Sequence, residues 1–249
     1  MRQNQVLAKL RAGQPTIGFW MNTGSSLVAE FAARVGFDWI LLDQQHGYWS
    51  DDSLLAALQV IAPTDTVPLV RVLSNQPGLI GKALDAGALG VVVPLVNSAA
   101  EATQAVMAAR YPPLGARSAG GARNRLYGDD YFAAANQEIL VALMIETREA
   151  AEHAAEIVAV PGVDVAFIGP GDLAFSLGTF GQKSALHESL IQQVLVAGQA
   201  QHVPVGIYCA NIEDAIRRAK EGFLFVPCGD DLSLISQMTR DLVKAWRDR

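Results

Sequence analysis

The feature that most constrains this chain is a recurring alternation. Eight short apolar runs rich in β-branched residues, TIGFW (16–20), WILLD (39–43), PLVRV (68–72), GVVVP (90–94), VALMIE (141–146), VAFIG (165–169), PVGIY (204–208) and FLFVP (223–227), are separated by stretches in which apolar residues return every three to four positions. The runs are continuously hydrophobic, so each must bury both faces, as strands of a parallel sheet covered by helices do. Eight such units in 249 residues match one closed (β/α)8 barrel, a fold of roughly 250 residues. We therefore expect α/β architecture with one TIM-barrel domain over residues 1–249. The competing arrangement, an open doubly wound sheet, lacks support because no G-x-G-x-x-G turn follows the first run. The spacing breaks only between the fourth and fifth runs, where YPPLGARSAGGARNRLYGDDYFAAANQEI inserts a Gly/Pro/Arg-rich loop and a short helix. Loops that long inside a compact domain are usually functional.

Composition narrows the function. With 51% hydrophobic and 18% charged residues the chain has ample material for a core, which excludes disorder. Its net charge of −6 excludes a basic binder of nucleic acid or of anionic membranes. No apolar run approaches the roughly 18 residues of a membrane span, and the opening MRQNQVLAKLRAGQ is too polar for a secretory leader. A cytoplasmic location is expected. Cys209 and Cys228 lack metal-type spacing and read as small buried hydrophobes in a reducing compartment.

In such barrels the chemistry is done at the C-terminal ends of the strands, so the residues that close each run are the candidates. Trp20 closes the first, Asp43 the second with Gln44, Gln45 and His46 after it, Arg71 the third and Glu146 the fifth; Gly169-Pro170-Gly171-Asp172 follows the sixth. A charged group buried there without a partner is strongly unfavourable, so these groups must pair with one another or hold a cation. Glu146 and Asp172 leave neighbouring strands toward one mouth. Two carboxylates with water filling the shell suit Mg²⁺, Mn²⁺ or Co²⁺ better than Zn²⁺, since no Cys or His cluster accompanies them. The plainer reading is a salt-bridged or helix-capping pair, with Asp172 capping the next helix. Asp43 and His46 are three apart, and a carboxylate beside an imidazole can orient a general base. Arg71 is the one cation at a strand end; it suits a carboxylate or enolate oxygen, or serves as a structural partner of Asp43 or Glu146. Trp20 reads as core or pocket wall. The glycines of GPGDL, Gly171 among them, allow the backbone to approach an anionic group. His153, His187 and His202 lie off the strand ends and read as surface residues. Lys82 and Lys220 fall in helices, so no lysine is placed for Schiff-base chemistry.

Taken in order, GFDWILLDQQHG, the VPLVRV run, LDAGALGVVVPLV, RYPPLGARS, IETREA and GVDVAFIGPGDLAFSLG resemble the motifs of the metal-dependent (class II) pyruvate aldolases of the HpcH/HpaI family. The resemblance implies a barrel that exchanges its C-terminal helix with a neighbour and assembles as a homohexamer, a trimer of dimers. It implies Glu146 and Asp172 as ligands of Mg²⁺, Mn²⁺ or Co²⁺, His46 as a base acting with Asp43, and Arg71 as stabiliser of carbonyl and enolate. It further implies Gly171 with Asp172 as a backbone clamp on the pyruvate carboxylate, and Asp85 of LDAG as a carboxylate reaching the neighbour's site. The implied reaction cleaves a 4-hydroxy-2-oxo acid to pyruvate or hydroxypyruvate plus an aldehyde. Two positions depart from the family pattern: Gln45 stands where many members carry Glu, and Met144 where many carry Gln. Two other readings stay beside this one. A citrate-lyase-type CoA-ester lyase shares the fold and metal logic, although no basic groove for CoA is evident. A non-catalytic binding barrel would use the strand-end charges as a structural network.

Overall fold

The computed structural model describes residues 1–249. Eight parallel strands close into a barrel in chain order: β1 (Thr16–Met21), β2 (Trp39–Asp43), β3 (Val67–Arg71), β4 (Gly90–Val93), β5 (Leu140–Ile145), β6 (Val165–Ile168), β7 (Val205–Ile207) and β8 (Phe225–Asp230). Each coincides with one apolar run, so the (β/α)8 barrel read from the sequence is the one formed, and the open doubly wound sheet is not. The largest boundary difference is at the last strand, which starts at Phe225 and stays extended past the apolar run to Asp230.

Around the strands lie α1 (Gln5–Arg11), α2 (Ser26–Ala32), α3 (Asp51–Ile61), α4 (Pro77–Asp85), α5 (Ala99–Ala109), α6 (Tyr131–Glu138), α7 (Arg148–Glu152), α8 (Ala154–Val158), α9 (Pro170–Ser176), α10 (Ala185–Ala200), α11 (Ile212–Glu221) and α12 (Asp231–Arg247). Polar caps set where several of them begin. Ser25, Ser50, Ser98, Thr147, Ser184 and Asn211 each accept a backbone N–H of the first turn. The Gly/Pro/Arg-rich insertion folds into a 3₁₀ turn (Ala122–Tyr127) followed by α6.

Aromatic side chains from separate strands pack together in the core. Trp39 stacks on Phe225 with ring centroids 4.0 Å apart and planes within 4°, and Phe225 meets Phe167 edge-on at 5.6 Å. This bulk dictates glycine on neighbouring strands. A Cβ on Gly18 would lie 2.1 Å from the Trp39 ring, and one on Gly206 2.7 Å from the Phe167 ring. At the other extreme, every residue after Asp231 is exposed. Ile235, Met238, Leu242 and Trp246 form one exposed apolar stripe along α12, with only the Arg249 guanidinium over the Trp246 ring. Both cysteines are free thiols, Cys209 buried and Cys228 only partly so, which corrects the expectation that both lie in the core. No helix is long and apolar enough to cross a membrane.

Candidate active site

A cavity of about 300 Å³ opens where the strands end, lined by Trp20, Asn22, Asp43, His46, Arg71, Met144, Phe167, Gly169, Pro170, Gly171, Asp172 and Tyr208. Six of the residues singled out from the sequence, Trp20, Asp43, His46, Arg71, Gly171 and Asp172, therefore meet in one place. Glu146 lies directly behind the lining: a Cβ on Gly169 would come within 2.8 Å of its Oε2.

The centre of the site is a buried ion pair. Asp43 and Arg71 end adjacent strands and face each other in register. Arg71 Nε donates to Asp43 Oδ1 at 2.8 Å and Nη2 donates to Oδ2, a two-pronged contact. Trp20 Nε1 donates to the same Oδ2 at 3.0 Å, and the backbone amides of Gln45 and His46 donate to Oδ1 at 2.9 and 3.2 Å. Burial works most strongly against the ionised carboxyl, yet Arg71, Trp20 and the His46 amide together outweigh it and hold Asp43 below its ordinary pKa. The guanidinium also stacks over the Trp20 ring, 4.9 Å from its centroid. Its remaining nitrogen, Nη1, has only the Met144 thioether at 3.8 Å, a weak acceptor. The expectation that Asp43 orients the imidazole of His46 is modified here. The carboxylate is taken up by Arg71, Trp20 and two amides, so it anchors His46 through its backbone and leaves the ring exposed at the mouth.

Glu146 is held in the opposite way. Its Oε1 accepts the Leu95 N–H at 2.7 Å, and Leu95 adopts φ +55°, a left-handed conformation unusual for a residue with a side chain. Its Oε2 is buried with no partner at all. Burial pushes the carboxyl up to about 7; the Leu95 amide opposes this, and the negative charge of Asp172 adds to it. Asp172 does not cap a helix as its plainer reading held. Gly169 is the N-cap of α9, and Asp172 sits exposed in the first turn. An orphaned buried carboxylate oxygen within electrostatic reach of a second carboxylate is a donor set suited to a hard divalent cation. No cluster of three His, Cys, Asp or Glu forms, so water or substrate oxygens would complete the shell.

Several residues were placed elsewhere or missed. Asp85 is remote from this cavity; it accepts Arg117 Nη2 at 2.6 Å and Asn124 Nδ2 at 3.2 Å and lines a separate cleft of about 820 Å³ with Lys82, Thr103 and Arg117. His187 is half-buried, its Nε2 2.8 Å from the Pro170 carbonyl oxygen, which corrects its reading as a surface residue; His153 and His202 are exposed as expected. Asn22, Phe167 and Tyr208 line the cavity without having been singled out. Tyr208 closes the run PVGIY and so stands at a strand end like the charged candidates, but an uncharged side chain there needs no partner and gives no signal in the sequence. Its hydroxyl donates to Asp230 Oδ2 at 3.0 Å, and its ring meets Trp20 edge-on at 5.5 Å. Burial and the Asp230 carboxylate push that hydroxyl far above its usual range.

A parallel barrel whose strand ends gather a fixed guanidinium, an exposed histidine and two further carboxylates has the equipment of an enzyme acting on a small anionic molecule. The chain belongs to the HpcH/HpaI aldolase/citrate lyase family, whose model matches residues 16–237. It is similar to the 4-hydroxy-2-oxo-heptane-1,7-dioate aldolase of Shigella sonnei, with 40% identity covering 96% of this chain and 94% of the relative. It is also similar to an HpcH/HpaI aldolase/citrate lyase family protein from Burkholderia cenocepacia, whose crystal structure superposes with a TM-score of 0.93 at 32% identity, covering 98% of this chain and 100% of the other. The citrate lyase beta subunit of M. tuberculosis gives a TM-score of 0.61 at 19% identity over 89% of this chain and 93% of that one, a likeness of fold alone. The protein is accordingly an enzyme, a carbon–carbon lyase of the aldolase type.

Proposed function

We propose that this enzyme reversibly cleaves a 4-hydroxy-2-oxo acid to pyruvate, or its close relative hydroxypyruvate, and an aldehyde, with a divalent ion (Mg²⁺, Mn²⁺ or Co²⁺) held by Glu146 and Asp172. The observation that carries this reading is the buried, unpartnered Oε2 of Glu146 beside the Asp172 carboxylate. An ion held there would supply Lewis acidity to the oxo-acid half of the substrate. The side chains divide the remaining work. Arg71, immobilised by Asp43 and Trp20, offers a fixed positive charge to the oxygen on which negative charge develops. Backbone at Gly171 and Asp172, in the first turn of α9, holds the oxo-acid carboxylate, and Trp20 walls the pocket. His46, on the loop anchored by Asp43, takes the proton of the 4-hydroxyl. As that oxygen becomes the aldehyde carbonyl, the C3–C4 bond breaks and its electron pair passes to the enolate of the oxo acid. A proton returning to C3 completes pyruvate, so no atom or electron is left over.

The bare apolar stripe of α12 favours exchange of this helix with a second copy of the chain. In a homohexamer built as a trimer of dimers, Asp85 would serve the site of an adjacent copy, which accords with its distance from the cavity of its own chain. The free thiols of Cys209 and Cys228 suit a reducing, cytoplasmic setting.

The test is a screen of aldehydes with pyruvate and with hydroxypyruvate across Mg²⁺, Mn²⁺ and Co²⁺, before and after chelation with EDTA. Chelation should abolish turnover and each effective ion should restore it. Full activity in chelator, or in Glu146→Ala and Asp172→Ala enzymes, would sink the metal-dependent reading. Pyruvate binding that is indifferent to the ion would count against it as well.

A further inference from the structure

In the closed ring, β7, β8 and β1 form one arc of the mouth, facing the arc that carries Arg71 and Glu146. β7 and β1 each deliver a cavity residue just past their ends, Tyr208 and Asn22. β8, between them, puts no side chain into the cavity. Instead two aspartates are buried at its junction with α12, Asp230 ending the strand at 7% exposure and Asp231 opening the helix at 3%. Asp230 Oδ2 accepts the Tyr208 hydroxyl at 3.0 Å. Asp231 Oδ1 accepts the Asn22 N–H at 2.8 Å, and its Oδ2 accepts the Thr23 N–H at 3.1 Å and hydroxyl at 2.6 Å.

The same two carboxylates root α12. Asp230 Oδ1 caps the helix through the Ser233 amide at 2.9 Å, and Asp231 Oδ1 also accepts the Leu232 N–H at 3.0 Å. A bulge aims them. Gly18 pairs with Pro227 but Trp20 pairs with Asp230, so β8 holds one residue more than β1 over this stretch. Gly229 absorbs it at φ +133°, a conformation other residues rarely adopt.

We propose that Asp230 and Asp231 are positioning residues that couple the seating of α12 to the two pocket walls Tyr208 and Asn22, and thereby to the aldehyde half of the substrate. The assignment to the aldehyde half rests on the lyase reading above. Arg71, Glu146 and Asp172 engage the oxo-acid half, which leaves the β7–β8–β1 arc of a 300 Å³ cavity to the rest of the molecule. Whatever covers the bare stripe of α12 bears on a helix whose first turn is tied to both walls.

The test uses the full chain loaded with Mg²⁺ and two assays. Deuterium uptake at the pyruvate methyl group reports the oxo-acid half alone, whereas addition of pyruvate to glycolaldehyde needs both halves. Tyr208→Phe and Asp230→Ala should lower kcat/KM for glycolaldehyde about five- to tenfold, the effect of one lost hydrogen bond, with methyl exchange and pyruvate KM held within about twofold. Asp230→Asn, which keeps both a cap and a partner for Tyr208, should restore the aldehyde reaction. Equal losses in both assays, or none in either, would overturn the coupling, and Tyr208→Phe decides the matter if Asp230→Ala fails to fold. Amide hydrogen exchange of segment 20–25 gives a readout independent of activity. Exchange there should quicken in Asp231→Ala and in an Ile235→Glu/Met238→Glu enzyme, whose changes lie only on the α12 stripe. Unchanged exchange in the latter would refute the coupling even if the wild type proved inactive in both assays, a result that would count against the lyase reading alone.

Discussion

Replacing Asp43 by Ala should destabilise the fold more than any other single change at the site. The pair it forms with Arg71 is nearly dry, with side-chain exposures of 1% for Asp43 and 7% for Arg71. Without the carboxylate, the guanidinium remains buried with only the weak Met144 thioether as a hydrogen-bond acceptor, and the Trp20 indole N–H and two loop amides lose theirs. Removing one partner of a buried pair costs about 3–5 kcal/mol, and an orphaned indole N–H about 1–3 kcal/mol. The two overlap, because water entering the vacated space solvates both, so the expected loss is about 3–5 kcal/mol and not the sum. For a chain of this length that corresponds to a Tm lower by about 6–20 °C, at roughly 2–4 °C per kcal/mol. Thermal and urea unfolding measure it directly. Asp43→Leu/Arg71→Met, which removes both charges, should recover most of the loss. A loss under about 1 kcal/mol in Asp43→Ala would mean that water screens the pair, and would refute the reasoning. The pH dependence follows from the same contacts. Since the folded carboxyl lies below its ordinary 3.8, its contribution is complete above that pH and disappears as the pH falls through the folded value. The acid limb of the stability curve should therefore be shallower in Asp43→Asn.

His46→Ala should lower kcat for cleavage by about 10²- to 10⁴-fold while metal-dependent pyruvate binding survives; near-normal cleavage would assign the proton to another group. Arg71→Ala should instead weaken pyruvate and enolate analogues in a calorimetric titration. Gly169→Ala would drive a methyl group into Glu146 Oε2 and should weaken metal affinity about 10- to 100-fold, measured by titration of the metal-free enzyme. Sedimentation should show an assembly larger than a dimer, in which Asp85→Ala is impaired and Asp85→Asn, which keeps an acceptor for Arg117, is folded but slow. A fully active monomer would remove Asp85 from the site.

The strands were legible because burial on both faces leaves an unbroken apolar run, a signal that needs no knowledge of neighbours. The charged strand ends were legible for a related reason: a carboxylate or guanidinium closing such a run, as at Asp43, Arg71 and Glu146, stands against the composition around it. Pairing was not. The facing of Asp43 and Arg71 depends on the β2–β3 register, so the sequence left Arg71 between Asp43 and Glu146 as partners, and gave no sign that Asp43 would hold His46 by its amide and not its ring. Tyr208 and Asn22 carry no charge, and nothing local in the sequence tells that Asp230 and Asp231, at the start of α12, also reach the ends of β7 and β1. The His187–Pro170 contact joins α10 to the start of α9 across 17 residues, beyond any local pattern.

The two halves of the site differ in what the chain itself completes. Between β2 and β3, Asp43 is satisfied by donors from Trp20, Arg71 and the loop, so that half is organised before any ligand arrives. Between β5 and β6, Glu146 has one oxygen on a strained Leu95 and one on nothing, which is unfavourable for the isolated fold. An ion bound there should therefore stabilise the protein as well as activate it. At 100 times its dissociation constant it would add about 2.7 kcal/mol, a rise in Tm of roughly 5–11 °C for a chain of this size. Glu146→Gln removes the buried charge and the ligand together. It should match or exceed the metal-free wild type in Tm and gain nothing from Mg²⁺ or Mn²⁺, as followed by differential scanning calorimetry in chelator and in excess ion. A wild type whose Tm ignores the ion, or a Glu146→Gln protein that responds to it as strongly, would show that the orphaned oxygen is not where the cation sits.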